Sequence, residues 1–176
     1  LTNTAQSFSI RQVVSYVPLW TKSNFSFLEG ASHPDELVEQ AHRLALPALG
    51  LCDRDGVYGL VRAYTKAKEL GIKLLYGAQL SIGNLENFMD PTDIAEPKVI
   101  AYPRNRRGYA DLCQLISRGR QRCPKGQSLV NRDELASAGQ DLLVLSPCPA
   151  TLESLAPDFD DRLYGLVAVT GARGTS

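Results

Sequence analysis

The sequence predicts an α/β fold: a parallel sheet or barrel flanked by helices. Three observations carry that expectation. Short β-branched or leucine-rich runs alternate with segments of helical period along most of the chain. The strand–helix–strand spacing suits crossover connections between parallel strands. The 176 residues, 44% hydrophobic and 22% charged, have globular composition and are enough for one domain with a real core. They are too apolar for overall disorder. No apolar run reaches the ~18 residues that a membrane helix needs, so no membrane partner is expected.

Residues 1–12 are polar and read as a disordered tail or an artificial remnant, with the folded domain spanning 13–176. The first residue is not Met, so a fragment or a processed chain is expected. Val13 to Trp20 has the composition of a strand, and Asn24 to Gly30 that of a loop. Ser32-His33-Pro34-Asp35 opens a helix, with Ser32 as its cap and Pro34 in the first turn. Leu37, Val38, Ala41, Leu44 and Ala45 share one face of it, and Pro47 closes it.

Ala48 to Leu51 follows as a short buried strand, and Cys52 to Gly59 as a polar loop. Leu60, Val61, Tyr64 and Ala67 mark a second amphipathic helix, stopped at Gly71. Ile72 to Ile82 is the next strand, and residues 83–97 form an acidic, turn-rich insertion. Lys98 to Tyr102 is a strand, and Tyr109, Leu112 and Ile116 mark a helix ended by Gly119. Asn131 caps a short helix at Asp133–Ser137. Leu142–Leu145 and Leu163–Val169 complete a set of about six strands.

Several chemistries lack their residues. The cysteines Cys52, Cys113, Cys123 and Cys148 form no CxxC pair, which argues against a structural zinc site and for reduced thiols in an intracellular, cytoplasmic setting. The two histidines, His33 and His42, both fall on expected surface positions, so a histidine metal site or a Ser-His-Asp triad is hard to assemble. No glycine-rich phosphate loop is present. In an α/β fold the strand ends carry function, which directs attention to Trp20–Asn24, Cys52–Gly56 and Gly77–Gln79. Asp53 and Asp55 have two readings: metal ligands, or a helix cap and a turn.

The net charge is zero, yet charge is segregated. Residues 104–125 hold seven basic side chains (Arg104, Arg106, Arg107, Arg118, Arg120, Arg122 and Lys125) against the single acid Asp111. Residues 133–161 hold seven acids and no base. The basic stretch is either a solvated face neutralised by that acidic tract or a nucleic-acid contact.

The run Tyr16–Val38 (YVPLWTKSNFSFLEGASHPDELV) resembles the opening of the PHP domain of bacterial C-family DNA polymerases, and most nearly the error-prone paralogue of the replicative alpha subunit. Asp53–Gly59, Ala67–Ile72 with Gly77-Ala78, Tyr102–Arg104 with Gly108-Tyr109 and Leu112-Cys113, Lys125-Gly126 and Leu142–Ser146 keep the same order and spacing. The resemblance covers roughly residues 14–148. It implies a distorted β/α barrel, incomplete here because the C-terminal part of the family barrel is missing. In active members the strand ends hold two or three metal ions that activate a water for phosphoester hydrolysis.

The sequence departs from the active pattern the resemblance implies. The His-x-His element falls at Trp20-Thr21-Lys22, the Asp-His pair at Asp53-Arg54, and a glutamate position at Gln79. Asp53 alone is retained. A cation beside Lys22 and Arg54 meets like-charge repulsion, so no catalytic residue, metal or other cofactor is expected. Asp53 is expected to pair with Lys22 or Arg54 in the metal's place. The implied role is a noncatalytic domain of an error-prone polymerase alpha-type subunit, itself a DNA-directed nucleotidyltransferase in replication, repair and translesion synthesis. It would act as scaffold or contact DNA and the remaining polymerase domains, with self-association through an open barrel edge. The alternatives are a metal-dependent PHP phosphoesterase and a stand-alone module that pairs with a polymerase.

Overall fold

Alternating apolar runs and amphipathic helices build one sheet whose strand order follows the chain. The computed structural model describes residues 16–83 and 98–167. Its helices are α1 (Pro34–Arg43), α2 (Leu60–Leu70), α3 (Arg106–Gln121), α4 (Arg132–Ala138) and α5 (Pro149–Phe159). Its strands are β1 (Ala48–Arg54), β2 (Lys73–Ser81), β3 (Lys98–Pro103), β4 (Leu142–Ser146) and β5 (Leu163–Gly165). The five strands lie in the order β1-β2-β3-β4-β5, and among the described residues the sheet is open. The expected tail at 1–12, the start of the first strand at Val13, nearly all of the 83–97 insertion and positions 168–169 of the expected last strand lie outside the described residues, and β5 itself stops at Gly165.

The mixed α/β class holds, but the sheet is not all parallel. β1 pairs with β2 and β4 with β5 in parallel, whereas β3 is antiparallel to both its neighbours. The helix count between strands explains the β1–β2, β3–β4 and β4–β5 pairings. A single helix, α2 or α5, returns the chain to the same end of the sheet and gives a parallel neighbour. Two helices, α3 and α4, separate β3 from β4 and bring the chain back at the opposite end.

Five local expectations need correction. Residues 16–20 are not a regular strand, but they cover the outer edge of β1: Pro18 O accepts the Gly50 N–H and Thr21 O the Cys52 N–H, both at 2.9 Å. Three residues of advance against two break the ladder, and Pro18 has no N–H to give. β1 extends to Arg54, so Asp53 and Arg54 are strand residues, and the cap of α2 is Gly59 rather than Asp53. The N-cap of α1 is His33 rather than Ser32, with the Glu36 carboxylate accepting the His33 N–H at 2.7 Å. Gly119 does not end α3. It lies inside the helix, where a Cβ would stand 2.8 Å from Ser128 Oγ. Helix α5 was not expected, although Thr151, Leu155 and Phe159 are buried at helical spacing.

Other signals act as the sequence implies. Gly71 closes α2 with φ at 70°, Asn131 caps α4, and Asp55 turns the chain with φ at 49°. None of the four cysteines is in a disulfide. Among the described residues no helix is long and apolar enough to cross a membrane.

The five helices pack on one face of the sheet. Leu80, Val99, Ala101 and Val144 meet Leu112, Leu115, Leu135, Leu155 and Phe159 there, and Leu49 and Leu51 meet Val38, Ala41 and Ala63. On the opposite face Cys52, Ile100, Tyr102 and Leu145 are covered by Leu19 and Trp20. Tyr102 Oη donates to Leu19 O at 2.8 Å, which pins the covering segment. Phe159 is fully buried against Gly139, whose missing Cβ would otherwise sit 2.5 Å from the ring. Phe159→Ala is expected to cost ~3–5 kcal/mol, the range for emptying a buried aromatic site. Urea unfolding monitored by circular dichroism measures it, and a loss below ~1 kcal/mol would show that α5 is not part of the core.

Candidate functional site

The matched positions converge where β1 and β2 end. Arg54 and Gln79 are direct neighbours in the parallel ladder, and a bridge from Thr21 to Leu51 lays Trp20–Lys22 beside them. Asp53 is 3% exposed and turned into the protein. Its Oδ1 accepts the Ser23 N–H and the Ser26 hydroxyl, both at 2.7 Å, and its Oδ2 accepts the Ser23 hydroxyl at 2.8 Å. Ser26 Oγ also accepts the Arg54 N–H at 3.0 Å. Loop 23–30 can approach this closely because Gly30 has no side chain: a Cβ there would lie 2.1 Å from Ser23 O.

Asp53 pairs with neither Lys22 nor Arg54. Both cations turn to Glu29, which hydrogen-bonds Lys22 Nζ through one oxygen and Arg54 through the other at 2.8 Å. The cations therefore pair with a different carboxylate, while Asp53 is turned inward and engaged through both oxygens by the two serines. Burial pushes the Glu29 carboxyl up, but the Lys22 hydrogen bond and the charges of Lys22, Arg54 and Lys98 outweigh it, leaving it below its usual 4.5. Lys22 Nζ also lies 5.3 Å from the Trp20 ring centroid, a cation–π contact.

Trp20 Nε1 donates to Gln79 Oε1 at 2.9 Å. That bond fixes the amide, since a flip would set two donors face to face. Gln79 is fully buried, and its Nε2 has no hydrogen-bond partner among the described residues. Cys52 lies beneath, its thiol pushed up to about 12 by burial, so it stays protonated and unreactive at neutral pH.

This donor set does not fit a metal cluster. Trp20, Lys22 and Arg54 present only N–H groups, Gln79 Oε1 is taken by the indole, and Asp53 is taken by three donors. Among the described residues no three His, Cys, Asp or Glu side chains gather around a common point. Glu29, Ser23 and Ser26 were not singled out from the sequence. They recur every third residue within the family-like run, but nothing in that spacing says which way the loop folds.

The seven basic side chains of the stretch differ in what they meet. Arg120 donates from Nε and Nη2 to Asp55 O at 2.9 and 2.8 Å and lies 5.5 Å from the Tyr58 ring centroid. Arg122 bonds both oxygens of Glu134, at 2.6 and 2.7 Å. Arg107 approaches Asp141 at 3.9 Å. Arg104 and Arg106 are exposed at the start of α3, while Arg118 and Lys125 are exposed near its end.

An α/β domain with helices on one face of its sheet and a site at the ends of neighbouring strands is the class this geometry defines. Residues 19–156 match the PHP domain family, and the chain belongs to that family. Its relatives include the error-prone DNA polymerase of Rhodopirellula baltica, 37% identical over 132 residues covering 75% of this chain and 11% of that protein. The error-prone DNA polymerase of Brucella abortus is 40% identical over 157 residues, covering 86% and 13%. The resemblance read from the motifs is thus borne out, and the chain spans only 11–14% of the length of such relatives. Among solved structures it is similar to a putative metal-dependent phosphoesterase from Bifidobacterium adolescentis, at TM-score 0.44 and 19% identity over 70% of this chain and 49% of that one.

The sign of the Glu29 shift fixes a pH dependence. A carboxylate held below its unfolded value adds stability above that value and loses it as pH falls through the folded one. Wild-type stability is expected to drop as pH falls through and below 4.5, partly because Glu29 protonates. Glu29→Gln is expected to lower the urea midpoint at neutral pH and to flatten the decline in acid. Midpoints of both proteins between about pH 7 and pH 3 test this, and parallel curves would exclude Glu29 as a contributor.

Proposed function

We propose that this chain is a noncatalytic PHP domain of an error-prone DNA polymerase, acting as a scaffold for the polymerase's remaining domains during DNA synthesis on damaged templates in the cytoplasm. The observation that carries this reading is the Lys22–Glu29–Arg54 cluster at the strand ends. A hydrolytic site of this family needs carboxylates and imidazoles arranged around cations, which then activate a water. Here the polarity is reversed, with two cations arranged around one carboxylate. The retained Asp53 is spent on tying loop 23–30 to β1, a task that calls for a buried, saturated acceptor rather than an open ligand.

As a scaffold the site does mechanical work. The Trp20–Gln79 bond and the Glu29 cluster join the covering segment, the loop and two strands into one unit without a metal. Partners would be the other polymerase domains, with DNA held in their common assembly.

Two measurements on the purified chain test the proposal. Elemental analysis after dialysis is expected to find zinc and manganese well below one ion per chain. Hydrolysis of nitrophenyl phosphate and of single-stranded DNA 3′ ends with added manganese is expected to stay at background. A stoichiometric metal, or turnover abolished by Asp53→Ala, would overturn it.

A further inference from the structure

Away from that site, α2, β2 and α3 enclose a groove of about 430 Å³ lined by Leu60, Val61, Tyr64, Tyr76, Arg106 and Tyr109. Its size falls within the ~300–1,000 Å³ typical of small-ligand sites. Three phenol rings line it, and Tyr76 and Tyr109 meet edge to face at 5.7 Å. Tyr64 is 56% and Val61 76% exposed, so a large part of this surface is uncovered. No carboxylate lines it, and its one charge is the Arg106 guanidinium.

The charges around Arg106 are placed against a local cost. Arg106 and Arg107 occupy the first turn of α3, with no acid there, although the positive end of a helix disfavours cations. Arg104 precedes them. Among the described residues neither Arg104 nor Arg106 has an ion-pair partner, and Arg107 only approaches Asp141. The arginines near the other end of α3 are accounted for in part by the fold, through Arg120 on Asp55 and Arg122 on Glu134. Of the N-terminal three, Arg107 alone has an ion-pair partner among the described residues, the long contact to Asp141.

From this juxtaposition we propose that the groove binds single-stranded nucleic acid, one base against the tyrosine rings and the adjoining phosphate on Arg106. Open rings beside a guanidinium, with no acid, match a flat base joined to an anion. A duplex keeps its bases stacked and out of reach. Arg104 and Arg107, exposed and within two residues of Arg106, add positive charge near it beyond what a single phosphate needs, which favours a strand over a free nucleotide. The inference stands apart from the noncatalytic reading of the strand-end site, and either can fail without the other.

The test is fluorescence anisotropy of a labelled twelve-residue oligothymidylate with the whole chain at low salt. Binding that weakens with salt is expected, with Tyr64→Ala and Arg106→Ala each costing about tenfold in affinity, as loss of a stacking partner or a phosphate contact does. Tyr64→Phe is expected to keep near wild-type affinity, and so is Arg43→Ala, on the distant end of α1. Ultraviolet crosslinking of an iodouracil-bearing strand is expected to label Tyr64, Tyr76 or Tyr109. Absence of binding at low salt, equal affinity for thymidine monophosphate, or affinity unmoved in Tyr64→Ala and Arg106→Ala variants with unchanged melting temperature would overturn the proposal.

Discussion

The buried carboxylate of Asp53 is the constraint from which the strand-end architecture follows. Its bonds to Ser23 and Ser26 bring loop 23–30 against the end of β1. With the loop held there, Glu29 stands between Lys22 and Arg54. Leu28, with φ at 65°, takes a left-handed conformation that a leucine avoids, and it does so in the residue immediately before Glu29. A buried carboxylate stripped of its donors costs more than any one surface ion pair returns. Asp53 is therefore the anchor, and Glu29 depends on it.

A second aspartate repeats the device one turn away. Asp55 Oδ1 accepts the Ser81 N–H at 2.9 Å and Oδ2 the Ser81 hydroxyl at 3.0 Å, which joins β1 to the end of β2. Its carbonyl receives the Arg120 fork from α3. Burial raises the Asp55 carboxyl above its usual range despite the Ser81 bonds and the nearby arginines. Both aspartates of the Cys52–Gly56 segment, each a conceivable metal ligand in the sequence, thus act as staples to serine hydroxyls and backbone N–H groups. Both oxygens of each carboxylate are already engaged by protein donors.

Much of this fold was legible because its signals are local. Pro34 starts α1, Gly71 ends α2 and Asn131 caps α4, each acting over three or four residues. What was missed depends on distant partners. The antiparallel pairing of β4 with β3 follows from two helices packing in sequence between them. Gly119 reads as a helix stop, but its role is set by Ser128 and Leu129 pressing on α3 from outside. At the site, Trp20, Lys22, Arg54 and Gln79 were singled out along the chain and the fold brings them together, whereas Glu29 was not singled out. Its partners lie seven residues before it and twenty-five after it, joined only once Asp53 has closed the loop.

The segregated charge shows the same division between sequence and space. Seven bases followed by seven acids read as two opposed patches, yet folding places α4 and α5 so that several acids become partners of arginines. Arg122 meets Glu134 on α4, and Arg132 meets Asp158 on α5 at 2.7 Å, tying those helices together. Arg118 and Arg120 near the C-terminal end of α3 also gain from the helix dipole. Neutrality over the whole chain is therefore compatible with a local surplus, and the surplus collects where the dipole disfavours cations and where Asp141 is the one acid of the tract paired with an arginine among the described residues. That place is the first turn of α3, beside the exposed rings of α2 and β2, where folding alone gives the least reason for arginine.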